Sequence, residues 1–128
     1  MAGTRVNYNH ESVYPKVDVI TATIASGASL SDEIDLGHHR IMLIQMPAAW
    51  TAANLTFQVA TATGGTFQDL YDDGGVEVNV TAAVSRAIGV DIYAGPLASA
   101  RFLKIRSGTT GTPVNQGAAR SIVLATKR

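Results

Sequence analysis

IMLIQMPAAWTAANLTFQVATATGGTFQDLYDDGG, residues 41 to 75, holds apolar runs and turn signals that follow one another at the spacing of neighbouring β-strands. Residues 40 to 46, RIMLIQM, with Ile41 to Ile44 an unbroken apolar run, stop at Pro47 and read as a strand buried on both faces or at a sheet centre. In residues 54 to 60, Leu55, Phe57 and Val59 face one way and Thr56 and Gln58 the other, the pattern of a half-buried antiparallel strand. Residues 66 to 72 and 76 to 80 then flank Asp72, Asp73, Gly74 and Gly75, so a hairpin across that turn is expected, with Val76, Val78 and Val80 sharing a face.

The same pattern continues on both sides. KVDVITATI, residues 16 to 24, is β-branched and precedes a turn at 25 to 29. In SLSDEIDL, residues 29 to 36, Leu30, Ile34 and Leu36 occupy even positions together with Asp32. A strand is favoured there, with a helical turn as the alternative. Residues 86 to 93 offer Ile88, Val90 and Ile92 on one face, and AGPLASA after them reads as a loop or a single helical turn. RFLKIRS, residues 101 to 107, places Leu103 and Ile105 inward and Phe102, Lys104 and Arg106 on the other side. RSIVLATKR closes the sheet as the last strand. Eight or nine short strands without a convincing helix indicate an all-β fold: a single antiparallel β-sandwich, jelly-roll-like, over residues 16 to 128.

Residues 1 to 15 lack any periodicity and are expected to form an extended N-terminal arm, with a reach on the order of 50 Å. Two tyrosines and a valine (Tyr8, Val13, Tyr14) within seven positions distinguish it from a purely solvated tail. SGTTGTPVNQGAA, residues 107 to 119, is a second aperiodic stretch. A loop of about 13 residues exceeds the usual length in a compact domain and suggests a contact role.

Composition narrows the function classes. The chain of 128 residues has no cysteine, so disulfides and thiolate chemistry are out. Ten basic and ten acidic residues balance without a basic run, which argues against nucleic acid and anionic membranes as partners. No apolar stretch approaches the ~20 residues of a membrane span, and the first residues lack the apolar centre of a secretory signal, so a soluble protein outside that route is expected. Few long charged side chains among many Ala, Thr, Val and Gly leave a surface suited to association.

Candidate chemistry is thin. Asp69, Asp72 and Asp73 miss the spacing of a calcium loop and are what a hairpin turn uses. His38 and His39 adjoin in a turn, expected to be exposed, and as neighbours on an extended chain they diverge. Nucleophile-elbow and phosphate-loop motifs are absent, and no two carboxylates are placed across a cleft by the sequence. The expectation is a protein that is not an enzyme, with no cofactor and no metal. Trp50 with Tyr71 and Tyr93 would suit a sugar-stacking platform, although a lone Trp in a small domain contributes most by closing the core.

Three segments, PAAWTAANLTFQ, GGTFQDLYDDGG and RFLKIRSGT with PVNQGA, carry a resemblance over about residues 28 to 126 to small β-sandwich structural proteins of tailed bacteriophages. The proteins in question decorate or cement the head shell. The resemblance implies a non-enzymatic virion component, made in the host cytoplasm and placed on the capsid exterior. Its partners would be the major capsid protein and itself, as a homotrimer with a homodimer as second choice. Contacts would come from Arg5, Tyr8, Val13 and Tyr14 in the arm and from Thr109, Thr110, Pro113, Val114, Asn115 and Gln116 in the long loop. The alternative function is a carbohydrate-binding or adaptor module of a phage head or tail fibre.

Overall fold

Alternation in the sequence becomes two faces in space. The computed structural model of the protein describes residues 17–91 and 95–128. The expected arm, with Arg5, Tyr8, Val13 and Tyr14, lies outside the described residues, as do Lys16, Ile92 and Tyr93. Among the described residues there are eight strands: β1 (Val17–Ile24), β2 (Ile34–Asp35), β3 (Arg40–Gln45), β4 (Leu55–Ala60), β5 (Gln68–Asp69), β6 (Ala87–Gly89), β7 (Phe102–Ser107) and β8 (Arg120–Lys127). Among the described residues a 3-10 helix, Pro96–Ser99, stands where a helical turn was one of two expectations, and it buries Leu97.

The strands form two antiparallel sheets of four, ordered β1-β8-β3-β6 and β2-β7-β4-β5. An all-β sandwich is therefore what the chain builds. Its pairing follows one rule. β1 pairs with β8, β2 with β7, β3 with β6 and β4 with β5, so the chain doubles back between β4 and β5 and its halves match strand for strand. β3 with β8 and β4 with β7 then complete the two sheets.

The core lies between the sheets. Ile24, Ile41, Ile44, Ile122 and Leu124 from one sheet meet Leu55, Phe57, Leu103 and Ile105 from the other, all essentially inaccessible. Each such side chain contributes roughly 1.5–3 kcal/mol on burial, set against the entropy of ordering the chain. Leu103 and Ile105 face inward as their alternation requires, as do Leu55 and Phe57.

Three local departures have physical causes. β3 is not a simple run: the register shifts between Ile41 and Leu43, making Met42 the extra residue of a bulge. Ile41 and Ile44, three apart, thereby both point into the core. The 66–80 hairpin forms, with a bridge between Tyr71 and Glu77 and a bond from the Asp72 N–H to the Val76 carbonyl. Val76 overhangs the turn at 64% exposure, however, while Val78 and Val80 pack on the core and Val80 bridges to Leu55. Residues 29 to 36 supply only the two-residue β2, preceded by isolated bridges from Leu30 to Arg106 and from Ser31 to Ile24. That segment thus stitches one sheet to the other. No helix forms there.

Candidate functional site

On β7 the alternation sends Phe102, Lys104 and Arg106 to the outer face of the second sheet, yet Phe102 and Arg106 are buried there. The cause is what crosses that face. Residue 77 and the loop after β7 fold over Arg106, leaving it 7% exposed. Its Nη2 makes a close ion pair with Asp69 of β5. Its Nη1 donates to Thr110 Oγ1 at 2.9 Å and to Thr56 Oγ1 and Glu77 Oε2 at 3.3 Å each. Around this cation, Gln58 Nε2 donates to Asp69 at 3.2 Å, the Thr110 N–H donates to Glu77 Oε2 at 3.1 Å, and Thr56 Oγ1 donates to the Gly108 carbonyl at 2.7 Å. One guanidinium with its planar fork of donors therefore fastens β4, β5, residue 77 and the loop after β7 to one another.

Electrostatics follow from that geometry. The hydrogen bond from Arg106 holds the Asp69 carboxyl below its usual range, against the opposing effect of burial, with the Gln58 amide helping. Asp69 is thus kept ionised, the opposite of what a general acid in a glycoside-cleaving pair requires.

The loop itself is ordered from its base. Gly108 bridges to Pro113, Thr109 and Thr112 bond across a tight turn, and the Val114 N–H returns to the Ser107 carbonyl at 2.8 Å. Gly108 is obligatory here: its φ is 91°, and a Cβ would stand 2.5 Å from the Thr112 carbonyl oxygen. Thr110, Pro113 and Asn115 are exposed, and Thr109 and Val114 are half-buried.

Gln116 departs from the contact role expected of it. It is 1% exposed, and its carboxamide is fully engaged within the chain. Oε1 accepts from the Thr51 N–H at 2.8 Å and Arg120 Nε at 3.1 Å, and Nε2 donates to the Thr51 carbonyl at 3.0 Å and Ser107 Oγ at 2.9 Å. Its backbone also exchanges bonds with residues 27 and 28. Gln116 is a junction of three connections, and it has no side-chain group left to offer a partner.

Other candidates separate in space. Trp50 is 8% exposed and its Nε1 donates to the Ala53 carbonyl at 3.0 Å, so it caps the core and offers no open ring to a sugar. Tyr71 is exposed. The acidic cluster divides: Asp69 serves Arg106, while the Asp72 carboxylate accepts from the Gly74 and Val76 N–H groups at 2.9 Å each and shapes the turn. Among the described residues no three His, Asp or Glu side chains stand where they would share a metal ion. His38 is exposed, but His39 is half-buried with Nε2 2.9 Å from Asp18 Oδ2, which corrects the expectation that both would lie open in a turn. Sequence reasoning missed Arg106 and Glu77 as organisers of the loop. Their only signal was a charged residue on the outer side of a strand directly before a Gly-Thr loop. Comparison with protein families, with curated proteins and with solved structures finds no match for this chain.

Proposed function

We propose that the chain is a capsid cement protein of a tailed bacteriophage, bound to the outer surface of the assembled head, where it stabilises contacts between major capsid subunits. The observation that carries this reading is the pairing of the eight strands, first with last and inward to the middle pair, across two four-stranded sheets. We read this order as that of two interlocked Greek keys, the jelly-roll arrangement familiar from viral capsid and lectin domains. The inference from it is by analogy of fold. It gains from the resemblance of residues 28 to 126 to head-decorating proteins.

A cement protein works by mass action. Binding only the assembled, expanded shell lowers the free energy of that state and so resists internal pressure. The arm of residues 1 to 15 and the exposed tip at Thr110, Pro113 and Asn115 are the segments assigned to the shell. The tip suits the task because Arg106 and Glu77 hold its base. The alternative of a sugar-binding module loses its platform with Trp50 buried.

The test is co-sedimentation of the full chain, and of a chain lacking residues 1 to 15, with empty expanded capsids of the phage that encodes it. The full chain is expected to bind at a fixed stoichiometry and the shortened one to stay folded but remain in the supernatant. Equal occupancy by both removes the arm from the account. No binding by the full chain, together with binding on a glycan array, replaces cement with the fibre-module reading.

A further inference from the structure

Of the four sheet edges, three are blunted by length: β2 and β5 have two residues each and β6 has three. β1 is the exception, an edge strand of eight residues, VDVITATI, with no proline or lysine. Natural edges of that length are usually protected by one of those devices or by a covering segment. Among the described residues only the far end is covered. The Thr23 N–H donates to the Asp32 carboxylate at 3.1 Å, and the Thr23 carbonyl accepts from the Asp32 N–H at 3.2 Å.

Thr23 thereby reveals which way the edge faces. Backbone groups of an antiparallel strand point alternately to its two sides, so Val17, Val19 and Thr21 present theirs in the same direction as Thr23, away from β8. Among the described residues nothing bonds to the outward groups of Val19 and Thr21. The side chains repeat the message, because Val17 and Val19 are 53% and 66% exposed.

We infer that two copies of the chain pair through β1, antiparallel, about a two-fold axis at Val19. The set Val17, Val19, Thr21 is its own complement: in the register that places Val19 against Val19, each Val17 meets the other copy's Thr21 and every outward group finds a partner. Registers centred elsewhere leave one of these residues unpaired or oppose it to the occupied Thr23. Charge favours the same occupant. On the outer face, Val19, Ala125, Leu43 and Gly89 form one cross-strand row and Thr21, Val123, Gln45 and Ala87 the next, with no charged residue in either. Pairing through β1 joins the Val19 row to its copy in one uncharged line across eight strands and sets each Thr21 row against the other copy's Val17 row, whose charges, Lys127 and Arg40, lie one and two strands back from the seam, so no like charges stand side by side. A contact of five residues per chain covers less than the ~800 Å² per partner of a standard interface, so the dimer dissociates on dilution.

The inference does not depend on capsid binding, and it selects the two-fold rather than the three-fold of the two expected stoichiometries. In the full chain, which has no cysteine of its own, Val19→Cys under mild oxidation is expected to give covalent dimers, because hydrogen-bonded antiparallel pairs have Cα atoms ~5.5 Å apart, within disulfide reach. Thr23→Cys, equally exposed but capped by Asp32, is expected to give none. Sedimentation of the wild type should move from monomer towards dimer with concentration, and Val19→Lys should remain monomeric. Amide exchange of Val19 and Thr21 should slow with concentration. A monomer at all concentrations, a trimer, equal crosslinking through both positions, or amide protection that dilution leaves unchanged would each overturn the proposal, the last by placing the chain's own residues on the edge.

Discussion

Arg106 shows what a single side chain costs when it is withdrawn from a closed circle of acceptors. Arg106→Ala leaves Asp69 and Glu77 facing each other without a counter-charge, and a loss of about 3–5 kcal/mol is expected from urea unfolding. Arg106→Lys should recover only part, since an ammonium lacks the planar fork that reaches several acceptors at once. Asp69 adds a pH dependence whose sign is fixed. Its folded-state pKa is depressed, so its stabilisation is complete above the ordinary carboxylate value near ~4 and is lost as pH falls through the lower folded value. Glu33, held down by the Gly64 N–H and the Thr63 hydroxyl, and exposed Asp35, held down by the Gly37 N–H and Arg101, act in the same direction. Urea midpoints should therefore fall on acidification, and less steeply in Asp69→Asn. Gln116→Leu removes a neutral group whose charged partner is Arg120. It strands Thr51 and Ser107 and should cost about 1–3 kcal/mol for each buried group left unsatisfied.

Among the elements, strands were legible wherever apolar and polar residues alternate, even where, as at Thr56 and Arg106, the outer face is itself covered. Residues 55 to 59 and 103 to 105 alternate in sequence and alternate in space, because period 2 is a property of the extended backbone itself. β3 was only half legible: the unbroken apolar run Ile41 to Ile44 gives no sign of which residue is extra, and the bulge at Met42 depends on β8, eighty residues away. Deleting Met42 should restore strict alternation with Ile41 and Ile44, then two apart, both still turned into the core, so the cooperative thermal transition followed by circular dichroism should survive. The loop of residues 107 to 119 was legible as a loop, but not its interior use of Gln116, since a polar residue in an aperiodic stretch carries no mark of burial. Gly108 could be located only through its φ. Gly108→Ala should loosen the hairpin by roughly 1–3 kcal/mol from backbone strain, with the clash at Thr112 added.

Over the whole molecule, the sandwich was readable from strand count and spacing, while the order of strands was not, because it is set by pairings between the two ends of the chain. β8 lies between β1 and β3, so a chain ending before Arg120 loses the partner of both. Such a truncation should be unfolded by near-ultraviolet circular dichroism and by the loss of Trp50 burial. There is a consequence in time as well. Of the described strands β1 is the first to leave the ribosome and β8, which pairs with it, the last. At about 5–20 residues per second the interval is on the order of five to twenty seconds. Throughout it, a β-branched octapeptide with both edges open waits in the company of other nascent chains. The sandwich cannot close until β8 has emerged, and yield during expression should depend on how rapidly new chains accumulate more than on the stability of the finished sandwich.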